Sequence, residues 1–235
     1  MLVPGLACDA AVWQPLWPAL QPLARPWVAP SGLHERIGDM AEALLRDAPA
    51  ERFALAGHSL GGRVALEVMR RAPQRVLRLA LLDTGAQPLA DSAAGEAEVA
   101  QRLALVDLAR REGMRAMAER WSPPMLHPAH LDTAVHRDVL DMIERHPLAH
   151  FAAQQQALIA RPDATDVLDR ITCPTLLLCG EEDGWSPPAR HAAMAAQIPA
   201  SWFVPVPRCG HMSTMEQPEA VGRALADWLQ RPVAG

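Results

Sequence analysis

Ser59 occupies a position at which a serine can act as a nucleophile. It lies between Gly57 and Gly61 in the stretch "ALAGHSLGGRVAL", where a short apolar run gives way to a helical pattern. A strand-to-helix turn this tight strains its apex residue, and side chains two places before and after it would collide, so glycines are expected there. The turn also raises the hydroxyl over the N-terminus of the helix, which stabilises negative charge. We therefore predict that Ser59 is a nucleophile.

A base for this serine, and a group to orient that base, occur in the C-terminal third of the chain. The stretch "TLLLCGEEDGW" predicts a strand followed by Asp183, and "PVPRCGHMS" predicts a strand end followed by His211. Because the carboxyl ends of parallel strands share one edge of a sheet, these loops are expected to meet at Ser59. A serine needs such a base, so His211 is predicted to take the hydroxyl proton and Asp183 to orient the imidazole.

Other carboxylates compete with Asp183 for this role. Glu181 and Glu182 lie in the same predicted loop, and Asp83 follows the apolar run "LRLALL" at another strand end. We favour Asp183 and keep Asp83 as the main alternative. Glu216 is expected in the first turn of the last helix, where the helix dipole stabilises a carboxylate, and it has no predicted catalytic role.

The remaining metal-type side chains favour no metal site. His58 is adjacent to Ser59 but is expected to face away from it, as a structural neighbour. His146 and His150 are spaced i,i+4, yet no carboxylate spacing supports a metal between them. The four cysteines have no zinc-like spacing and are interpreted as small apolar side chains. We predict neither a metal nor another cofactor.

The elements that must position these residues are predicted from hydrophobic patterning. Four short apolar runs predict buried strands, namely "FALA" at Phe53, "VLRLALL" at Val76, "TLLLC" at Thr175 and "WFVPV" at Trp202. Helical patterns between them predict a doubly wound, mostly parallel α/β sheet with right-handed crossovers. Pro205 marks the last run as an edge or irregular strand. The stretch "MLVPG" leaves only Met1 to Val3 for a first strand, so that strand is very short or the chain starts upstream.

The strand pattern breaks between about residues 86 and 165, where Ala, Arg, Met and Glu dominate. We predict a helical cap over residues 86–165, inserted into a core formed by residues 1–85 and 166–235. Six cap residues are expected to line a flexible apolar pocket above Ser59: Met114, Met117, Trp121, Met125, Leu126 and Phe151. The cap residues Arg115, Arg120 and Arg137 could bind a carboxylate, although most are expected to be solvated.

Composition narrows the class of partner and the compartment. The net charge of −5, with no long basic run, argues against nucleic acid and anionic membranes and favours a small molecule. No apolar run approaches the roughly 20 residues that span a bilayer. The stretch from Met1 to Trp13 contains no Lys or Arg, so we expect no signal peptide and a cytoplasmic location. All 22 basic residues are arginine, which removes lysine as a base.

These motifs together resemble the α/β-hydrolase superfamily, particularly small bacterial esterase-like members with a helical cap. The resemblance runs from "LVPGLACDAAVW" through "GHSLGG" and "CPTLLLCGEEDGWSPP" to "CGHMSTMEQPEAV". It implies an α/β-hydrolase fold with a shortened N-terminus, and an oxyanion hole formed by the backbone N–H groups of Leu6 and Leu60. Many relatives have His-Gly where this chain has Pro4-Gly5, so the support of that loop differs here.

The predicted function is hydrolysis of carboxylic esters with small acyl or aryl groups, through an acyl-enzyme on Ser59. The same three residues could instead serve a C–C bond hydrolase or lyase, a lactonase or a thioesterase. A third possibility is a ligand receptor without catalysis, which the intact Ser59, Asp183 and His211 argue against. The oligomeric state is not predicted.

Overall fold

The centre of the protein is a five-stranded parallel sheet, seen in a computed structural model that describes residues 1–233. The strands are β1 (Leu2–Val3), β2 (Phe53–His58), β3 (Val76–Leu82), β4 (Thr175–Gly180) and β5 (Ser201–Val206). They lie side by side in chain order, and every pairing is parallel. All six residues of β4 are buried, as expected of a strand covered on both faces.

Ten α-helices surround the sheet within residues 1–233. They are α1 (Trp17–Leu20), α2 (Ile37–Asp47), α3 (Leu60–Arg71), α4 (Ala93–Trp121), α5 (Ala134–Glu144), α6 (Leu148–Ile159), α7 (Thr165–Leu168), α8 (Pro188–Ala195), α9 (Ser213–Glu216) and α10 (Pro218–Gln230). Short 3₁₀ helices occupy Ala10–Val12, Gln14–Leu16, Pro73–Arg75, Pro123–Met125 and Pro128–His130. None of the helices in this range combines the length and apolar composition needed to cross a bilayer.

The winding of the chain reverses at β1. After β1 the chain passes to one side of this strand, where Val28 forms an isolated parallel bridge with Leu2. It then crosses through α2 and pairs with the opposite side of β1 as β2. Right-handed crossovers place α2, α3 and α8 on one face, and on the other α1 packs against α10. This confirms the predicted doubly wound α/β fold. The loops after β1 and β2 lie at the switch point, where such sheets bind ligands.

The sheet ends match two details of the sequence. Pro205 lies in β5, which is an edge strand. A residue without an N–H is tolerated there because no further strand needs that hydrogen-bond donor. The strand before Pro4-Gly5 has only two residues, and the backbone N–H of Leu2 donates to the carbonyl of Trp27 beyond it. The short first strand therefore still belongs to a wider parallel arrangement.

The connection from β3 to β4, described throughout, contains helices and no strand. Its longest helix, α4, packs against α5 and α6 and is kinked at Gly113, whose φ of +89° and ψ of 164° are not helical. Glycine adopts such a conformation without the steric cost that a Cβ would add. The two halves of α4 therefore present differently phased faces to their surroundings.

Candidate active site

Ser59 lies at the apex of the turn between β2 and α3. Its φ is +53° and its ψ is −114°, a conformation that is strained for a residue with a side chain. A Cβ on Gly57 would overlap the carbonyl of Gly61, and a Cβ on Gly61 would overlap the carbonyl of Val3. The N–H of Ser59 donates to the carbonyl of Leu82 at 2.8 Å, which ties the turn to β3. The glycines are thus needed for packing around the serine.

Ser59, His211 and Asp183 form one chain of hydrogen bonds. The Nε2 atom of His211 lies 2.9 Å from the Oγ of Ser59, and its Nδ1 lies 2.9 Å from Oδ2 of Asp183. A carboxylate only accepts hydrogen bonds, so Nδ1 of a neutral His211 carries the proton and Nε2 is free to accept from the serine hydroxyl. This tautomer is the one that can remove the proton from Ser59.

The Asp183 carboxylate is stabilised in its charged form. Its other oxygen, Oδ1, accepts the backbone N–H groups of Trp185 and Ser186, both at 2.9 Å. Burial acts to raise the pKa of Asp183, but the positive charge of His211 and these hydrogen bonds together lower that pKa to about 2. Glu181 and Glu182 are exposed, and Glu182 instead accepts the N–H of Cys209. Asp183 is therefore the carboxylate that contacts His211.

Asp83, the alternative acid, lies behind this chain of hydrogen bonds. It is fully buried, accepts the N–H of Gly180 at 3.2 Å and accepts the hydroxyl of Ser213. Burial, and then repulsion by the nearby Asp183 carboxylate, raises the pKa of Asp83 well above its ordinary value. The raised pKa disfavours the charged form that would stabilise an imidazolium.

His58 supports the backbone of His211. Its ring is buried, and its Nε2 donates to the carbonyl of His211 at 2.9 Å. Its Nδ1 is buried without a partner in the described chain, close to the backbone of Gly5. Burial, together with the charge of His211, lowers the pKa of His58 to about 4, so the ring is neutral at pH 7.

Glu216 is not in the first turn of the last helix, contrary to the prediction. Glu216 is the last residue of the short helix α9, and α10 begins at Pro218. Gln217 between them is not helical, because a residue that precedes a proline disfavours helical geometry. The carboxylate of Glu216 is buried and accepts the backbone N–H groups of Gly210, Met212 and His127, at 3.1, 3.0 and 2.7 Å. It holds the loop that carries His211.

A cavity of about 660 Å³ opens onto Ser59 and His211. Four of the predicted oxyanion and pocket residues line it: Leu6, Leu60, Trp121 and Met125. Leu60 is the first residue of α3, and the first N–H groups of a helix have no acceptor within the helix. Further apolar wall comes from α4, α5 and α6, through Leu105, Leu108, Met142, Ile143 and Leu158.

The other four predicted pocket residues do not line this cavity. Met117, Leu126 and Phe151 are buried in the core, and Met114 is half-buried against it. Phe151 packs edge-on against Trp121, with ring centroids 5.9 Å apart, so it supports the wall from behind. Trp185, which the sequence did not suggest, stacks on Trp121 at 5.5 Å and lies 5.0 Å from the ring of His211.

Several arginines line the cavity, and most of them were not predicted. They are Arg63, Arg102, Arg120, Arg161 and Arg190. Of the three arginines proposed from the sequence, only Arg120 is among them; Arg115 pairs with exposed carboxylates, and Arg137 reaches a backbone carbonyl. Arg63 had a sequence signal, because it follows Ser59 by four residues and so lies one helical turn further along α3.

Pro4 and Gly5 line a second cavity of about 270 Å³. It shares Cys8 and Leu60 with the larger cavity, but neither Ser59 nor His211 lines it. A ligand that contacts Ser59 would therefore bind in the larger cavity. Residues 1–233 hold no group of three or more His, Cys, Asp or Glu side chains placed to bind a metal ion.

Comparison with known proteins assigns the chain to a family. The family model described as the alpha/beta hydrolase fold matches residues 29–218. The chain belongs to the α/β-hydrolase family. One member, "Putative carbamate hydrolase RutD" of Variovorax paradoxus, is 32% identical over 98% of this chain and 91% of its own. Another, the 2-succinyl-6-hydroxy-2,4-cyclohexadiene-1-carboxylate synthase of Serratia proteamaculans, is 30% identical over 83% of this chain and 75% of its own.

A solved member of the family has the same architecture. The thermophilic esterase from Thermogutta terrifontis, determined with malate bound, superimposes with a TM-score of 0.84. It is 32% identical, and the match covers 97% of this chain and 88% of that one. The named activities of these family members differ, so the shared fold does not by itself define a substrate.

Proposed function

We propose that this protein is a serine hydrolase that cleaves carboxylic esters of small acyl or aryl substrates. The observation that carries the proposal is the chain of hydrogen bonds from Asp183 through His211 to Ser59, at the mouth of a cavity large enough for a small ligand. The similarity to an esterase at 32% identity supports the same chemistry. We further propose that the helices of residues 86–165 act as a cap over the core.

In the first half-reaction the Oγ of Ser59 bonds to the ester carbonyl carbon while Nε2 of His211 takes the hydroxyl proton. The carbonyl oxygen becomes an oxyanion, which the backbone N–H groups of Leu6 and Leu60 stabilise; losing one such donor costs about 10²–10³ in rate. The tetrahedral intermediate then breaks its bond to the alcohol oxygen, which receives the proton from His211. An acyl ester on Ser59 remains.

In the second half-reaction water replaces the alcohol. Nε2 of His211 takes a proton from the water as its oxygen bonds to the acyl carbon, and the same donors hold the oxyanion. Collapse of the intermediate breaks the bond to Ser59, whose oxygen regains the proton from His211. Throughout, the ionised Asp183 holds the imidazole in one tautomer and stabilises its charged form.

A second candidate function uses His211 as a base in an elimination or C–C cleavage on a carboxylate-bearing substrate. The 30% identity to the synthase named above and the arginines in the cavity favour it. The two functions differ in their intermediate, because ester hydrolysis passes through an acyl group on Ser59 and proton abstraction does not.

The deciding experiment is hydrolysis of p-nitrophenyl esters from acetate to decanoate by the wild type and by Ser59→Ala. We expect turnover of short and medium esters, with the rate reduced by at least about 10³-fold in the variant. Intact-protein mass spectrometry during turnover should detect an acyl adduct that Ser59→Ala lacks. An inert wild type across the series, or turnover that survives the substitution, would exclude ester hydrolysis by this site.

A further inference from the structure

The cavity at Ser59 is positively charged, although the chain as a whole carries a net charge of −5. Five arginines line it, against two carboxylates, Asp83 and Glu98. Asp83 is fully buried, and it already accepts the backbone N–H of Gly180 and the hydroxyl of Ser213. Glu98 is then the carboxylate of the cavity lining that can pair with these arginines.

The carboxylate of Glu98 already binds two arginines of the cavity. Both of its oxygens bind Arg161, at 2.7 and 2.8 Å, and one of them also accepts the Nε–H of Arg102 at 2.9 Å. Such a two-point contact with Arg161 is the preferred geometry between a guanidinium and a carboxylate. Arg120, at the outer side, pairs with Glu112. These contacts leave no negative charge for the two remaining arginines of the cavity.

Arg63 and Arg190 have no carboxylate partner within residues 1–233. Arg63 donates to the backbone carbonyl of Gln87 at 2.8 Å, and Arg190 donates to that of Trp185 at 2.9 Å. Each guanidinium has five N–H donors, so each keeps donors for a ligand while one contact fixes its position. Burial, and then repulsion by Arg161, Arg190 and Arg102, lowers the pKa of Arg63 to about 9. A bound anion would relieve this repulsion.

The two arginines approach the site from different elements. Arg63 lies on α3 four residues after Ser59, which is about 6 Å along the helix axis. Arg190 lies in the first turn of α8, held by the loop that also contains Asp183. Because Arg63 follows Ser59 by only one helical turn, a short chain of methylene groups is the length that suits a substrate contacting both residues.

We propose that the substrate is a monoester of a short dicarboxylic acid, whose ester carbonyl is attacked by Ser59 while its free carboxylate binds Arg63 and Arg190. This inference rests on the proposed ester hydrolysis and names its substrate class. The planar guanidinium selects a carboxylate over a neutral ester end, because it matches both oxygens. The product is the free dicarboxylate, which bears a second charge and can leave for water once the alcohol has gone.

The test compares two substrates that differ at one end group, the free acid p-nitrophenyl hydrogen adipate and the neutral methyl p-nitrophenyl adipate, with the background taken from Ser59→Ala. We expect the wild type to favour the free acid by about 10–100-fold in kcat/KM, mainly through KM, as a charge-assisted contact provides. The ratio should fall toward one in Arg63→Gln and in Arg190→Gln. The control Arg110→Gln, at an exposed residue paired with Asp107 outside the cavity, should keep it.

Equal hydrolysis of both esters by the wild type, or a preference that survives both substitutions, would overturn the inference and leave ester hydrolysis standing. If neither ester is hydrolysed, the proposed function fails, and calorimetric binding of adipate to Ser59→Ala decides the anion site separately. Binding that is weakened at least tenfold when Arg63→Gln is added supports the site. Absence of adipate binding, or binding unchanged by that substitution, rejects it.

Discussion

The carboxylate of Glu216 accepts a hydrogen bond from the backbone N–H of His127, 2.7 Å away. His127 follows the kinked helix α4 and the short 3₁₀ helix that ends at Met125, whose carbonyl accepts the backbone N–H of His211 at 2.6 Å. The loop with His211 is therefore bonded directly to the segment that supplies part of the cavity wall. A displacement of that segment would move His211 as well.

Removing the Glu216 carboxylate should destabilise the protein strongly. In Glu216→Ala the buried N–H groups of Gly210 and Met212 and the half-buried N–H of His127 lose their acceptor, and we expect the free energy of unfolding to fall by about 2–5 kcal/mol. Urea unfolding measures this change. The matched control Glu219→Ala, at an exposed residue in the first turn of α10, should change it by less than about 1 kcal/mol, the usual contribution of a carboxylate to the helix dipole. Equal stability of the two variants would contradict the role of Glu216.

The two buried aspartates should differ sharply when each is replaced by asparagine. Asp183→Asn removes the charge that orients His211, so kcat should fall by about 10³–10⁴-fold, the range for a lost triad carboxylate. Asp83→Asn keeps the shape of a group whose raised pKa favours the neutral form, and kcat should fall by less than about tenfold. Ester hydrolysis with far-UV circular dichroism as a check on folding measures both. The reverse order of the two effects would make Asp83 the orienting acid.

The fold and the proximity of Ser59, Asp183 and His211 could be predicted because the sequence patterns that indicate them are local. Each apolar run that ends in Ser59, Asp183 or His211 defines a strand, and parallel strands bring their carboxyl ends together whatever the connections between them. Gly57 and Gly61 follow from the steric requirements of one turn. These inferences needed no knowledge of how distant helices pack.

Most of the cavity wall could not be predicted because it depends on helix phase and long-range packing. The kink at Gly113 separates Leu105 and Leu108, which line the cavity, from Met117, which is buried in the core. Arg161 and Glu98 meet only because α4 packs against α6. Glu216 was misplaced because the break at Gln217 splits one helical pattern into two helices.

Glycine at position 57 should be far less replaceable than glycine at position 184. A Cβ at Gly57 would overlap backbone atoms of Gly61 and Gly62, whereas nothing lies within 4 Å of a Cβ at Gly184. We expect Gly57→Ala to lower the free energy of unfolding by more than about 4 kcal/mol, because backbone must move. Gly184→Ala should stay within about 1 kcal/mol of the wild type. Soluble yield and thermal unfolding of both variants provide the measurement, and equal tolerance would show that the turn is less constrained than its packing indicates.

Buried neutral histidines should make the protein lose stability in mild acid. Burial is the main cause that lowers the pKa values of His58 and His191 to about 4, whereas an unfolded histidine titrates near 6.5. Between these pH values the unfolded chain binds more protons than the folded chain. The free energy of unfolding therefore falls as pH drops from about 6.5 to 4, and each histidine contributes at most about 1.4 kcal/mol per pH unit. Nε2 of His191 accepts the N–H of Thr84, and a glutamine oxygen can accept the same N–H without titrating. His191→Gln should therefore reduce the slope of unfolding free energy against pH by up to about 1.4 kcal/mol per pH unit. Urea unfolding at pH 5.0, 5.5 and 6.0 gives the slopes, and identical slopes for the variant and the wild type would show that His191 is protonated in the folded state.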